Sequence, residues 1–100
     1  MNRTIIPGYL PRMMPAHFSA FTMEPAAYRV IRQFEDFDGG IHPVGETWRY
    51  LDRNFFPYDA GLTLYIEKDG QSRSIRLQDY QEAQGAIIDR FWEYVEWLSA

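Results

Sequence analysis

Within one short stretch the chain places Asp36, Asp38, His42 and Glu46. Three carboxylates and an imidazole are the groups that a divalent metal or a general acid–base pair requires, because oxygen and nitrogen donors suit Mg²⁺, Mn²⁺ or Zn²⁺. A small metal-dependent enzyme built on these four residues is therefore one reading. Their spacing matches no metal motif, however. Asp36-x-Asp38-Gly39 opens like a calcium loop but lacks the later glutamate and the glycine at the required offset. The preferred reading is structural: Asp36 and Asp38 bond to the loop backbone, Gly39 and Gly40 supply positive φ, and Glu46 sits in a turn. No serine or cysteine nucleophile motif accompanies His42 or His17, and the chain has no cysteine at all, so thiol catalysis, disulfides and cysteine-ligated metals are excluded. No catalytic residue and no cofactor are assigned.

A second group is aromatic. Phe55, Phe56, Pro57 and Tyr58 follow Trp48 and Tyr50 closely, and four such side chains in a row cannot all point inward. Flat rings give contact area at low entropic cost, so exposed members of this group suit the binding of a protein segment. Trp92 and Trp97 join them as candidate partner-binding residues, because both flank the apolar stripe of the expected C-terminal helix. Arg29, Arg32, Arg49, Arg53, Arg73 and Arg76 fall on expected strands. With 14 acidic against 10 basic residues and a net charge of −4, ion pairing is the better account of them, and nucleic acid is not the expected partner.

These groups must be positioned by a small scaffold. At 100 residues, 46% of them apolar and 17% aromatic, the chain is one folded domain rather than a disordered one. Residues 1–24 carry Pro7, Pro11 and Pro15 among many apolar side chains and read as an irregular arm, either folded on the domain or engaged with the partner; homo-oligomerisation through this arm or the C-terminal helix is an alternative. No run is long enough to cross a membrane and no secretory signal is present, so a cytoplasmic location is expected. Four strand-like runs follow, Tyr28 to Phe34, Thr47 to Arg53, Leu62 to Lys68 and Ser72 to Gln78. In the last two, apolar residues alternate with polar ones, giving each strand one buried face. Asp69-Gly70 between them has the chemistry of a type I′ hairpin turn. From Asp79 the spacing predicts an amphipathic helix capped by Asp79 and Glu82, with Ala83, Ile87, Phe91, Tyr94, Val95 and Leu98 on one face. Gly85 inside it points to fraying or a close backbone approach. The expected architecture over residues 25–100 is α+β: a small SH3-like antiparallel barrel of four to five strands, closed by the C-terminal helix.

The runs FEDFDGGIHPVGETW (Phe34 to Trp48), NFFPYDAGLTL (Asn54 to Leu64) and IRLQ (Ile75 to Gln78) resemble a small bacterial family known only as a domain of unknown function. The resemblance spans Tyr28 to Leu98, and the linked motifs His-Pro-Val-Gly-Glu-x-Trp and Phe-x-Pro-Tyr-x-x-Gly-Leu carry it. Phe37 stands where the family pattern has Tyr, and Asp79 where an aromatic is usual. The resemblance implies the domain boundary and a bacterial or phage source; it implies no activity. The leading expectation is a non-enzymatic module that binds a protein partner through Phe55, Phe56, Tyr58, Trp92 and Trp97. Its size and acidity also suit an inhibitor or immunity-type protein.

Overall fold

The computed structural model describes residues 15–100. Among these residues seven strands form: β1 (Ala26–Val30), β2 (Phe34–Glu35), β3 (Ile41–His42), β4 (Thr47–Phe56), β5 (Gly61–Lys68), β6 (Gln71–Gln78) and β7 (Val95–Ser99). A short helix α1 (Gly85–Asp89) and a 3₁₀ turn (Phe91–Glu93) precede β7. Five strands make one antiparallel sheet in the order β6-β5-β4-β1-β7, and β2 pairs with β3 in a small second sheet.

The β5–β6 hairpin follows its alternation. Leu62, Leu64, Ile66, Ile75 and Leu77 are buried, and Asp69 and Gly70 both adopt positive φ, 52° and 76°. That is the type I′ geometry, whose twist matches that of the flanking strands. β4 runs for ten residues with a register shift between Tyr50 and Asp52. Before the shift Trp48 and Tyr50 face the core, at 3% and 1% exposure, so these two rings are structural and belong to no binding groove. Beyond it, directly opposed residues share a face. Arg53 and Phe55 lie opposite the buried Leu64 and Leu62, and Phe56 lies opposite Gly61 on the other face.

Two expectations are corrected. The sheet does not close into a barrel: β6 and β7 are its two edges and do not pair with each other. The long C-terminal helix is not formed either. The α-helix is confined to Gly85–Asp89, and its N-cap residue is Gln84, with no side-chain cap hydrogen bond, so Asp79 and Glu82 make no capping box. Val95–Ser99 is extended because it supplies β1 with its second neighbour, pairing Val30 with Val95 and Tyr28 with Trp97. Tertiary strand pairing outweighs the helical periodicity of an aromatic-rich segment. Gly85 marks a close backbone approach: its N–H donates to the Tyr80 carbonyl at 2.9 Å, and a Cβ there would lie 2.8 Å from that oxygen.

Of the arm, residues 15–24 form an irregular segment that puts Phe18, Ala20 and Met23 into the core. The Ala20 N–H donates to Ile88 and that of Trp92 to Phe18, which ties the segment to the helical region. The expectations for residues 1–14 lie outside the described residues.

Candidate functional site

The four polar candidates divide into a buried trio and an outlier. β2 and β3 pair Phe34 with His42, which brings loop residues distant in sequence together. His42 Nε2 lies 2.8 Å from Asp36 Oδ2 and Nδ1 lies 2.6 Å from Glu46 Oε1, while the ring stacks on Phe34 with centroids 4.7 Å apart. Asp36 Oδ1 accepts the backbone N–H groups of Asp38 and Gly40 at 2.9 and 2.8 Å. A side chain at Gly40 would collide with this carboxylate, its Cβ 2.7 Å from Asp36 Oδ2. Glu46 also accepts from Trp48 Nε1 at 3.1 Å and from Lys68 Nζ at 3.0 Å. Burial opposes ionisation of Glu46, but the hydrogen bonds from His42 and Lys68 outweigh it and hold the carboxyl below the usual range. Both ring nitrogens of His42 and both carboxylates are engaged within the protein, and the chemistry is that of a clamp joining the loop to β4 and β5.

Asp38 takes no part in it. Its carboxylate makes a two-point pair with Arg76 at 2.7 and 3.0 Å, and that guanidinium holds it below the usual carboxylate range. Among the described residues no group of three or more His, Asp or Glu side chains is arranged to hold a metal ion. Other arginines are engaged as well: Arg29 on β1 pairs with Glu96, Arg32, which falls between β1 and β2 rather than on a strand, with Glu93, and Arg53 on β4 donates to Tyr50 Oη at 2.9 Å. Tyr28, buried against Tyr50 and Trp48, has its phenol pushed up to about 12 by burial, despite a hydrogen bond to the Glu24 carbonyl.

The aromatic candidates separate into two places. Trp92 and Trp97 are partly buried against the core at the β7 side. Trp92 stacks on His17 at 4.3 Å, and both tryptophans line a shallow groove with Pro15, Ala16 and Phe18. Phe55, Phe56 and Tyr58 belong to the far end of β4, two strands away in the sheet. Phe55 turns toward the core side, packing edge-on against Phe21 at 5.2 Å. Phe56 remains 56% exposed and Tyr58, in the following turn, is fully exposed.

Phe56 has a companion that the motifs did not single out. Phe37, 49% exposed, lines the same small cleft of about 70 Å³, together with Asp59, Gly61, Thr63, Arg76 and Gln78. Its position depends on the loop after β2 reaching the edge of β6, where the Phe37 N–H meets the Arg76 carbonyl at 2.7 Å. The signal available in the sequence was the single substitution of Tyr by Phe at 37, which locates no neighbour.

An open antiparallel sheet with one face covered by short irregular segments, a largely buried polar clamp and an aromatic cleft on the other face define a small, mostly β protein. Residues 16–100 match the family described as Domain of unknown function (DUF3601), and the chain belongs to it. A similar solved structure is the integron cassette protein VCH_CASS4 from the mobile metagenome of Vibrio cholerae, at 31% identity and TM-score 0.75, covering 82% of this chain and 93% of that one. No curated protein matches. No helix among the described residues is long and apolar enough to cross a membrane.

Proposed function

We propose that the protein is a non-enzymatic binding module that engages a protein partner through the cleft between Phe37 and Phe56, with Tyr58 beside it. The observation that carries this reading is the exposure of Phe37 and Phe56 around one depression, with Tyr58 fully exposed in the adjoining turn, while the fold buries a separate core of its own. Apolar rings left in solvent cost solubility and contribute nothing to folding, so their clustering favours an interface. Gly61, opposite Phe56 on β5, lines the cleft, and the Asp59 carboxylate packs against it where a side chain would stand. Trp92 and Trp97, packed against the core, support the fold rather than this surface.

The test is site-specific photocrosslinking in the native host. A photoreactive phenylalanine analogue replacing Tyr58 captures a defined protein, and the same analogue at the exposed Ser72 does not. Equal capture from both positions, or none from position 58, contradicts the reading.

A further inference from the structure

The clamp presents more carboxylate oxygen than a neutral imidazole can satisfy. His42 Nδ1 faces Glu46 Oε1 at 2.6 Å, and Nε2 faces Asp36 Oδ2 at 2.8 Å. A neutral ring has one N–H and one lone pair, while an ionised carboxylate only accepts, so one of the two contacts would set a lone pair against an oxygen. Both carboxylates are already acceptors elsewhere: Asp36 Oδ1 takes the Asp38 and Gly40 N–H groups, and Glu46 takes Trp48 and Lys68. A proton shared within the trio belongs on the imidazole, the stronger base.

Charge balance requires the same proton. The side chains of His42, Asp36 and Glu46 are only 12%, 9% and 9% exposed. Around the ring, Phe34 on β2 is apolar, Lys68 on β5 pairs with Glu46, and Asp69 and Arg73, from the hairpin turn and β6, line the same depression with opposite charges. Asp38, next along the loop, is paired with Arg76. Lys68 therefore offsets one of the two clamp carboxylates, and a second ring proton on His42 offsets the other. Without it a largely buried charge stands uncompensated.

We infer that the closed clamp is the imidazolium form of His42, and that loss of one ring proton releases Asp36 and with it the loop that carries Phe37. The inference rests on the reading of the Phe37–Phe56 cleft as a partner surface and assigns that surface its regulation. Glu46 makes the shorter contact and keeps Trp48 and Lys68 besides, so a neutral ring retains its proton on Nδ1 and turns its lone pair to Asp36. Asp36 directly precedes Phe37, whose N–H is held from the other side by the Arg76 carbonyl. Raising the pH thus removes one of the two tethers of the Phe37 wall, and lowering it restores that tether. Asparagine at 36 suits the neutral ring instead: its oxygen accepts from Asp38 and Gly40, and its amide donates to the Nε2 lone pair.

The experiment follows the full-length protein by NMR as pH is raised. The ring ¹⁵N shifts of His42 separate the imidazolium from either neutral tautomer, and the Phe37 amide reports the loop. The Phe37 amide is expected to shift with the same midpoint as the ring, while the Leu64 amide in the middle of β5 stays in place. In Asp36→Asn the Phe37 response is expected to be lost although the ring still titrates. His42→Gln, whose amide does not titrate, is expected to lose it as well, and the melting temperature verifies the fold of each variant. A Phe37 amide that does not follow the ring overturns the inference, as does an undiminished response in either variant. No partner enters this experiment, so these outcomes leave the protein-binding reading standing; failure of capture through position 58 overturns that reading and leaves the proton-dependent tether measurable by itself.

Discussion

The Phe37 N–H donates to the Arg76 carbonyl at 2.7 Å, and the Arg76 guanidinium lies over the Phe37 ring, 5.3 Å from its centroid. One residue of β6 thereby fixes both the backbone and the ring of a loop residue. The bond also covers part of a sheet edge, where an unpaired carbonyl otherwise invites another strand. The ring is held in place yet half exposed, which is the state of a surface arranged for contact. Arg76→Ala removes the guanidinium and leaves the carbonyl. Faster hydrogen exchange at the Phe37 amide is expected, with little change in melting temperature; unchanged exchange means the backbone bond alone positions the ring.

His42→Ala strips Asp36 and Glu46 of a shared partner in a largely buried setting. Asp36 Oδ2 is then left without its partner, whereas Glu46 keeps Trp48 and Lys68; an unsatisfied buried acceptor costs about 1–3 kcal/mol, so a loss on the order of 2 kcal/mol is expected in urea denaturation. A loss below about 0.5 kcal/mol, the scale of an ordinary surface substitution, contradicts the clamp.

The same clamp sets a pH dependence. Glu46 is held below the usual carboxylate range when folded, and a folded-state value lower than the unfolded one adds stability above the unfolded value. That increment is lost as pH falls through the folded value. Melting temperature should therefore drop from about pH 5 downward, with Asp38 contributing in the same direction. Glu46→Gln should flatten the slope; a slope unchanged in that variant assigns the acid sensitivity elsewhere.

Ala60 adopts φ 53° in the β4–β5 turn, where a Cβ is strained. Relief of that strain exceeds the added chain entropy of glycine, and Ala60→Gly should stabilise the fold by about 0.5 kcal/mol. Gly85→Ala goes the other way, by about 1–3 kcal/mol, because its Cβ meets the Tyr80 carbonyl oxygen, a backbone atom that cannot swing aside. Thermal denaturation of both variants reads the two signs; stabilisation by Gly85→Ala contradicts the close approach.

The β5–β6 hairpin was legible because two local signals agree there, alternation along both strands and the Asp69-Gly70 turn. Residues 79–99 were not, since Phe91, Tyr94, Val95 and Leu98 satisfy a helical period while β1 recruits Val95–Ser99 as a strand. Pairing with a distant strand leaves no mark on local spacing. Asp36, His42 and Glu46 were recognisable as a polar set, but only the β2–β3 pairing shows that they bond to one another. Phe56 was expected at a surface and is exposed; its proximity to Phe37 depends on the loop crossing to β6.

The cleft as a partner surface is tested most directly by affinity. The partner captured through position 58 is purified, and its binding to wild-type protein and to a Phe37→Ala/Phe56→Ala variant is measured by calorimetry beside the melting temperature of each. Binding at least tenfold weaker, with a melting temperature close to wild type, is predicted, since interface aromatics carry about 2 kcal/mol or more at a hot spot. Unchanged affinity in a folded variant, or collapse of the fold on removal of the two rings, contradicts it.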